Sequence, residues 1–250
     1  MSRKSNSHLV GKLFHSNNYG DFKIIKYDDF NNVTIQFVES GSIQNATMNA
    51  IKNGNVKDRS KPSVYGVGYL GKDSRTRNEL GVVLKEYSLW KRMLERCYDQ
   101  KNIETRKSYV GCEVSDNFKS FEYFSSWCKK QIGFNQDWDL DKDLLGNENK
   151  IYSEDVCVFL PKIINSTIAT RGATESKTLI GVEKRGRKFH ASIHKGKKRQ
   201  SLGCYETEIE AFQAYKQAKE QYLKELAEKW KSEIDPRAYN ALMQYEIQTT

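Results

Sequence analysis

Two stretches of this chain hold residues that could do chemistry, and they call for different partners. In the first, aspartates recur at alternate positions, Asp137, Asp139, Asp141 and Asp143. Alternate residues of an extended strand share a face, so Asp141 and Asp143 would point one way and Lys142 the other. Oxygen donors concentrated like this suit a hard cation, and such a cation beside a phosphodiester stabilises charge on the phosphate and the leaving oxygen. Hydrolysis would also need a base to activate water. None of the four histidines (8, 15, 190 and 194) lies in the stretch. Lys142 among carboxylates would hold its proton more tightly, which argues against it as a base, whereas a bound dication would push the other way. The second stretch, from Lys177 to Arg199, has nine basic residues and one acid, Glu183. It offers a fixed positive surface to a polyanion.

The elements that position the acids form a short series. A strand ends on them, and a Gly/Asn turn follows from Gly146 to Lys150. A second strand comes next, and Pro161 opens a helix that carries Asn165. Proline suits a first helical turn because its missing N–H has no partner there anyway. Upstream, Leu89, Trp90, Met93, Leu94 and Cys97 recur at helical spacing, which predicts an amphipathic helix over 88–98. Tyr109–Val114 reads as a strand, and Phe121, Phe124, Trp127 and Cys128 mark a second helix whose aromatic stripe belongs to a core.

Around the basic stretch, residues 179–205 imply three strands with a turn over Lys195–Lys198. Phe189, Ala191 and Ile193 would face inward, leaving Lys188, His190, Ser192 and His194 on the solvent side. Thr207 and Glu210 make a capping box, opening a helix with Ala211, Phe212, Tyr215, Ala218, Tyr222 and Leu226 on its apolar side. Asp235-Pro236 starts a last helix that would pack back through Tyr239, Leu242 and Met243. Near the start, residues 1–18 are polar and expected to fray, while 20–37 alternate as a hairpin around a 28–32 loop. A Gly-punctuated connector follows over 62–71. With Lys52, Lys57, Arg59 and Lys61, this N-terminal part could be a small DNA-contacting β module or a structural platform.

Composition sets the bounds. At 250 residues with 38% hydrophobic and 29% charged side chains, the chain has the make-up of a soluble folded protein of one to three domains. No apolar run reaches membrane-spanning length and no signal-peptide core follows Met1, so a cytoplasmic location is expected. Five cysteines (97, 112, 128, 157 and 204) contain no C-x-x-C pair; in a reducing compartment they read as small core residues rather than zinc ligands. The net charge of +9 is uneven: residues 1–83 carry +5, 84–172 carry 0 and 173–250 carry +4. Basic ends around a locally acidic middle suit a polyanion gripped at two places with a cation between them.

The middle of the chain resembles a known family. The order Leu140-Asp141-Lys142-Asp143, then Gly146 to Lys150, then Asp155-Val156-Cys157 and Asn165 resembles the ββα-metal (His-Me finger, HNH) nucleases of phages and mobile introns. The upstream pattern Tyr87, Trp90, Met93, Arg96-Cys97-Tyr98, then Tyr109, Gly111-Cys112, Val114 extends the resemblance over about 80 residues. It implies a divalent metal at Asp141 and Asn165, magnesium with manganese as an alternative, and Asn149 as the loop asparagine. Asp155 falls where the family often has a second loop Asn. The family's catalytic histidine position is Lys142 here, so the catalytic set would be Lys142, Asp141 and Asn149. The resemblance implies a slow or unconventional homing endonuclease that nicks or cleaves duplex DNA; the alternative is an inactive derivative acting as a DNA-binding regulator or interference protein.

The pattern Gly181-Val182, Phe189, Ala191, Ile193, Leu202-Gly203, Tyr205, Thr207, Ala211 and Ala214-Tyr215 resembles the Apetala-type (ethylene-response-factor) DNA-binding domain over 178–230. That resemblance implies base contacts from Glu183, Arg185, Ser192, His194, Arg199 and Ser201. Lys195, Lys197 and Lys198 would hold phosphates, and Arg187, Lys188 and His190 complete the DNA-facing set. Duplex DNA is favoured over RNA because the sheet face lacks stacking aromatics. The expected architecture is therefore α+β with three modules: a small N-terminal β module (1–83), a central ββα-metal (HNH-like) unit with flanking helices (84–172), and a C-terminal three-stranded antiparallel sheet packed on a helix (173–250). The two basic modules would position the duplex and the middle unit would sit over its backbone.

Overall fold

Alternating apolar side chains turn residues 13–46 into an antiparallel meander. The computed structural model describes residues 7–72, 74–146, 150–169 and 178–247. It divides into two compact units, Met1–Cys128 and Lys129–Thr250. In the first, β1 (Leu13–Ser16), β2 (Gly20–Tyr27), β3 (Val33–Phe37) and β4 (Ile43–Ala46) pair in sequence order. Phe22, Ile24, Val33, Ile35 and Phe37 fill one face and pack on Met48 and Ile51 of α1 (Met48–Lys52). Within residues 7–18, the expected fraying is replaced by β1. Phe14 and Ser16 point inward on alternate positions, and buried Ser16 donates its hydroxyl to the Val56 carbonyl at 2.6 Å. A four-residue edge strand with one aromatic is too short for alternation to reveal.

The rest of this unit holds α2 (Lys85–Tyr98), α3 (Gln100–Thr105), β5 (Glu113–Val114), α4 (Asp116–Lys119) and α5 (Phe121–Lys130). Trp90, Phe118, Phe121 and Phe124 are fully buried, and the Trp90 indole donates to the Phe118 carbonyl at 2.7 Å. The aromatic stripe is core. The strand expected over Tyr109–Val114 shrinks to two residues, because a 3₁₀ turn ends at Tyr109 and Gly111 takes a positive φ of 75°.

The second unit begins with β6 (Asp139–Asp141), α6 (Asp143–Gly146), β7 (Ile151–Tyr152), β8 (Val158–Leu160) and α7 (Lys162–Ile168). β6 and β8 pair antiparallel with Asp139 opposite Leu160 and Asp141 opposite Val158. Pro161 sits at the N-cap of α7. A strand pair and a following helix thus carry the acids and Asn165. Asp143 departs from its expected place on the strand: the strand stops at Asp141, and Asp143 opens α6.

The C-terminal part is β9 (Val182–Arg185), β10 (Lys188–Lys195), β11 (Lys198–Tyr205), α8 (Glu208–Trp230) and α9 (Pro236–Met243), with sheet order β11-β10-β9. The fold is α+β, and this three-stranded antiparallel sheet lies on a helix as the alternation predicts. Ala191 and Ile193 pack on Ala211, Phe212 and Tyr215 of α8. The Thr207–Glu210 capping box is formed, and Asp235 caps α9. The acid-bearing segment joins this part through an edge-to-face contact of Trp138 with Trp230, at 5.6 Å between centroids. Arg237 also donates to the carbonyls of Glu154 and Asp155, at 3.3 and 3.0 Å. No helix among the described residues is long and apolar enough to cross a membrane.

Candidate nucleic-acid interface and acidic cluster

The pleat of β9–β11 decides which side chains face out. Two hairpin turns, at Gly186-Arg187 and Gly196-Lys197, connect the strands. Each starts with a glycine at positive φ, 62° and 63°, as primed two-residue turns with a leading glycine require. On the open face, Glu183 lies opposite His190, and His190 lies opposite Cys204. Arg185 faces Lys188, Ser192 faces Ser201 and His194 faces Arg199. A register shift after Ala191 absorbs one residue of β11 and keeps Ser192 beside Ser201.

These side chains are organised rather than merely adjacent. Glu183 accepts from the Arg185 guanidinium at 2.9 Å and from Arg199 at 3.0 Å, and Arg199 Nε also donates to Ser192 Oγ at 3.0 Å. The hydrogen bonds from Arg185 and then Arg199 pull the Glu183 carboxyl down to about 2. His190 Nε2 meets Ser201 Oγ at 3.0 Å, while its buried Nδ1 has no hydrogen-bond partner among the described residues. A line of ordered side chains therefore crosses all three strands. Lys188 pairs with Glu206 at 2.7 Å. Arg187, Lys197 and Lys198 are exposed at the turns and at the start of β11. Lys195 is turned inward: its ammonium lies 3.3 Å from Glu225 and 4.9 Å from the Tyr222 ring centroid on α8. Cys204, expected in the core, is exposed on this open face; the other four cysteines are buried and all five are free.

The acidic cluster is more committed than the sequence suggests. Asp141 Oδ1 accepts from the backbone N–H groups of Asp143 and Leu144 at 3.1 and 2.9 Å, so this carboxylate caps the turn that becomes α6. Burial pushes its pKa up, as does the charge of Asp143, against the two backbone bonds and Lys142. Lys142 is buried, donates to Asp143 Oδ1, and lies 5.4 Å from the Tyr152 ring centroid. An ammonium held this way is a donor with no lone pair to accept a proton. Nearby, burial pushes the Cys157 thiol up to about 12, which leaves it inert.

Asn165 meets a different acid from the one expected. Its amide lies 3.2 Å from Asp139 Oδ2. Asp139 and Asp141 share a face of β6, two residues or about 6.7 Å apart along the strand. Beside them Lys162 pairs with Asp137 at 2.9 Å. Asn149 lies outside the described residues, as does the 170–174 linker. Among the described residues no three His, Cys, Asp or Glu side chains gather in a metal-binding group. Asp139 with the Asn165 amide oxygen nevertheless matches what magnesium asks of a protein, one or two oxygen ligands completed by water and phosphate. For Asn165 this requires its Oδ1 to face the ion.

In the first unit, Arg59 is spent internally, donating to the Gly71 carbonyl at 2.9 Å and to Ser74 Oγ at 3.0 Å, and Lys61 pairs with Glu39 at 2.5 Å. Lys52 and Lys57 are exposed. Two participants escaped the sequence reading, Asp139 as the partner of Asn165 and Lys219, which is buried on α8. For Lys219 the four-residue spacing from Tyr215 was the available signal. Comparison of the chain with family models, curated proteins and solved structures gives no match.

Proposed function

We propose that this chain is a cytoplasmic protein that binds duplex DNA through the open face of β9–β11, reading bases in the major groove. The observation that carries the reading is the Glu183 bridge. It holds Arg185 on β9 and Arg199 on β11 in fixed positions on one solvent-facing surface, with Ser192 and Ser201 beside them. Arginine is the commonest specific reader of guanine in the major groove, and a two- or three-stranded ribbon fits there. Pre-positioning the guanidinium groups lowers the conformational entropy lost on binding. Lys197 and Lys198, exposed at one end, supply phosphate contacts that set register without reading sequence.

Selection from random duplex DNA followed by affinity measurement tests this. A preferred duplex is expected, and Arg199→Ala should weaken it about 10- to 100-fold while changing a scrambled duplex far less. A wild-type protein with no sequence preference would refute the reading.

A second reading, nuclease action on the bound duplex, is supported by the antiparallel pair β6/β8 leading into α7 and by the Asp139–Asn165 contact. Asp139 and Asn165 would hold a divalent cation there, magnesium or manganese, which would stabilise charge on the phosphate and leaving oxygen. Asp141 would shape the turn beside it. Lys142 does not serve as the base in this arrangement, so any cutting would rely on water activated without a positioned histidine and would be slow. Plasmid nicking with each metal, comparing wild type with Asp139→Ala, Asp141→Ala and Lys142→Ala, separates this reading from that of a non-catalytic regulator. Absence of cutting on the selected duplex with either metal leaves the regulator.

A further inference from the structure

We propose that a cleft between α7 and the β9 edge of the C-terminal sheet is a phosphate-binding site with Lys219 at its base. The cleft has a volume of about 610 Å³ and is bordered by Thr167, Gly181, Arg199, Tyr215 and Lys219. That is far larger than a water site and within the range of small-ligand pockets.

The Lys219 side chain projects from the buried face of α8, the residue is only 6% exposed, and its ammonium donates to the Tyr215 hydroxyl at 3.0 Å. Among the described residues no carboxylate faces it. Burial therefore penalises its charged form, and its pKa is lowered by desolvation with nothing opposing. A buried ammonium without a counter-charge is costly unless something anionic visits it. Arg199 brings a second cation to the rim. Among the described lining residues the one acid is Glu183, and its charge is already offset by Arg185 and Arg199. His194 also borders the space.

The described backbone leaves the cleft open. β9 pairs with β10 from Lys188 to Ala191 and the Ser192 N–H still donates to the Gly181 carbonyl at 3.1 Å, but beyond Ser192 the β10 edge has no neighbouring strand on that side among the described residues. The chain instead turns away at Gly181, whose φ of 76° and close approach to Tyr215 exclude a side chain. A tetrahedral dianion suits this lining better than a cation, which would meet two fixed positive groups. A purely apolar ligand would leave Lys219 uncompensated.

The proposal does not depend on the duplex reading, because inorganic phosphate is itself the probe. Thermal unfolding of the full chain is followed in phosphate and in chloride at matched ionic strength. At ten times the Kd, phosphate should raise the Tm of wild type by about 3–5 °C. Lys219→Met keeps the length and apolar stem, removes the uncompensated charge and should fold with a Tm at or above wild type. It should show no phosphate-dependent shift, and Lys219→Gln gives the same readout in a polar side chain. Competition against a duplex with 5′-hydroxyl ends then separates the sources. Displacement that is lost in Lys219→Met identifies backbone phosphate, and phosphate binding without competition identifies a free phosphate ligand. A shift equal in wild type and Lys219→Met, or absent from wild type, overturns the proposal.

Discussion

Alanine substituted separately at Gly181 and Gly186 isolates the contact that fixes where β9 begins. Both glycines take positive φ, 76° and 62°, so both variants place an L side chain in the left-handed region at about 1–2 kcal/mol. They differ in what the new methyl meets. At Gly186 nothing lies within 4 Å, whereas at Gly181 a Cβ would stand 2.1 Å from Cδ2 of the Tyr215 ring. Tyr215 packs in one buried cluster with Phe212 and Ala191 and borders the cleft on its other side, so making room for the methyl costs it that packing. Overpacking of this kind adds about 1–3 kcal/mol. Gly186→Ala should therefore destabilise by about 1–2 kcal/mol and Gly181→Ala by about 2–5 kcal/mol. Urea denaturation followed by circular dichroism gives both values with unchanged m. A double variant, Gly181→Ala with Tyr215→Leu, removes the obstacle and should recover part of the loss as a coupling of about 1–3 kcal/mol. Equal destabilisation at the two glycines would refute the reasoning, because the ring contact would then carry no energy.

Three further outcomes follow from the same geometry. The Glu183 carboxyl falls from an ordinary 4.5 to about 2 in the folded chain, so its stabilising contribution is complete above pH 4.5 and disappears between pH 4.5 and 2. Denaturation at successive pH values should show wild type and Glu183→Gln converging toward pH 2, and a constant gap would contradict the bridge. Lys197→Ala and Lys198→Ala should each lower the slope of log K against log salt for duplex binding by about 1, with little change in sequence preference. Trp90 is fully buried and its indole donates to the Phe118 carbonyl, so Trp90→Ala should cost about 3–5 kcal/mol by thermal or urea unfolding. Trp90→Phe, which keeps most of the ring but loses the donor, should cost clearly less.

What could be read from the chain beforehand follows the length of each periodic signal. β10 alternates over eight residues and α8 keeps its apolar face over 23, so the inward side of the C-terminal sheet is legible in the sequence, whereas the register shift after Ala191 is not. β1, with four residues, gives alternation too little length to register, and β5 keeps only the last two residues of the strand that Tyr109–Val114 suggests. Side-chain pairings were harder still. Lys195 belongs by sequence with Lys197 and Lys198, yet an inward strand position hands it to Glu225 on a helix 30 residues later. Glu183 looked like a lone acid in a basic run. Only the antiparallel pairing of β9 and β11 on either side of β10 brings Arg199 to it.

The acidic cluster shows most directly why residue type does not fix residue role. Four alternate aspartates would all share one face of a long strand, but β6 ends at Asp141. The same Asp141 ends it: by accepting the N–H groups of Asp143 and Leu144, its carboxylate stabilises the turn that takes Asp143 off the strand. Lys142, displaced into that turn, is buried between Asp143 and Tyr152. One local hydrogen-bonding choice thus ties down the carboxylate expected to bind metal and the lysine standing in the family's histidine position. Asp139 is left facing Asn165. Asp141→Asn tests this reasoning, because an amide oxygen retains the cap while the charge is lost. If Asp141 acts through the turn, the neutral variant should keep near-wild-type stability and any nicking activity, whereas Asp141→Ala should lose about 1 kcal/mol or more with the cap. Loss of nicking in Asp141→Asn with stability intact would return Asp141 to the metal.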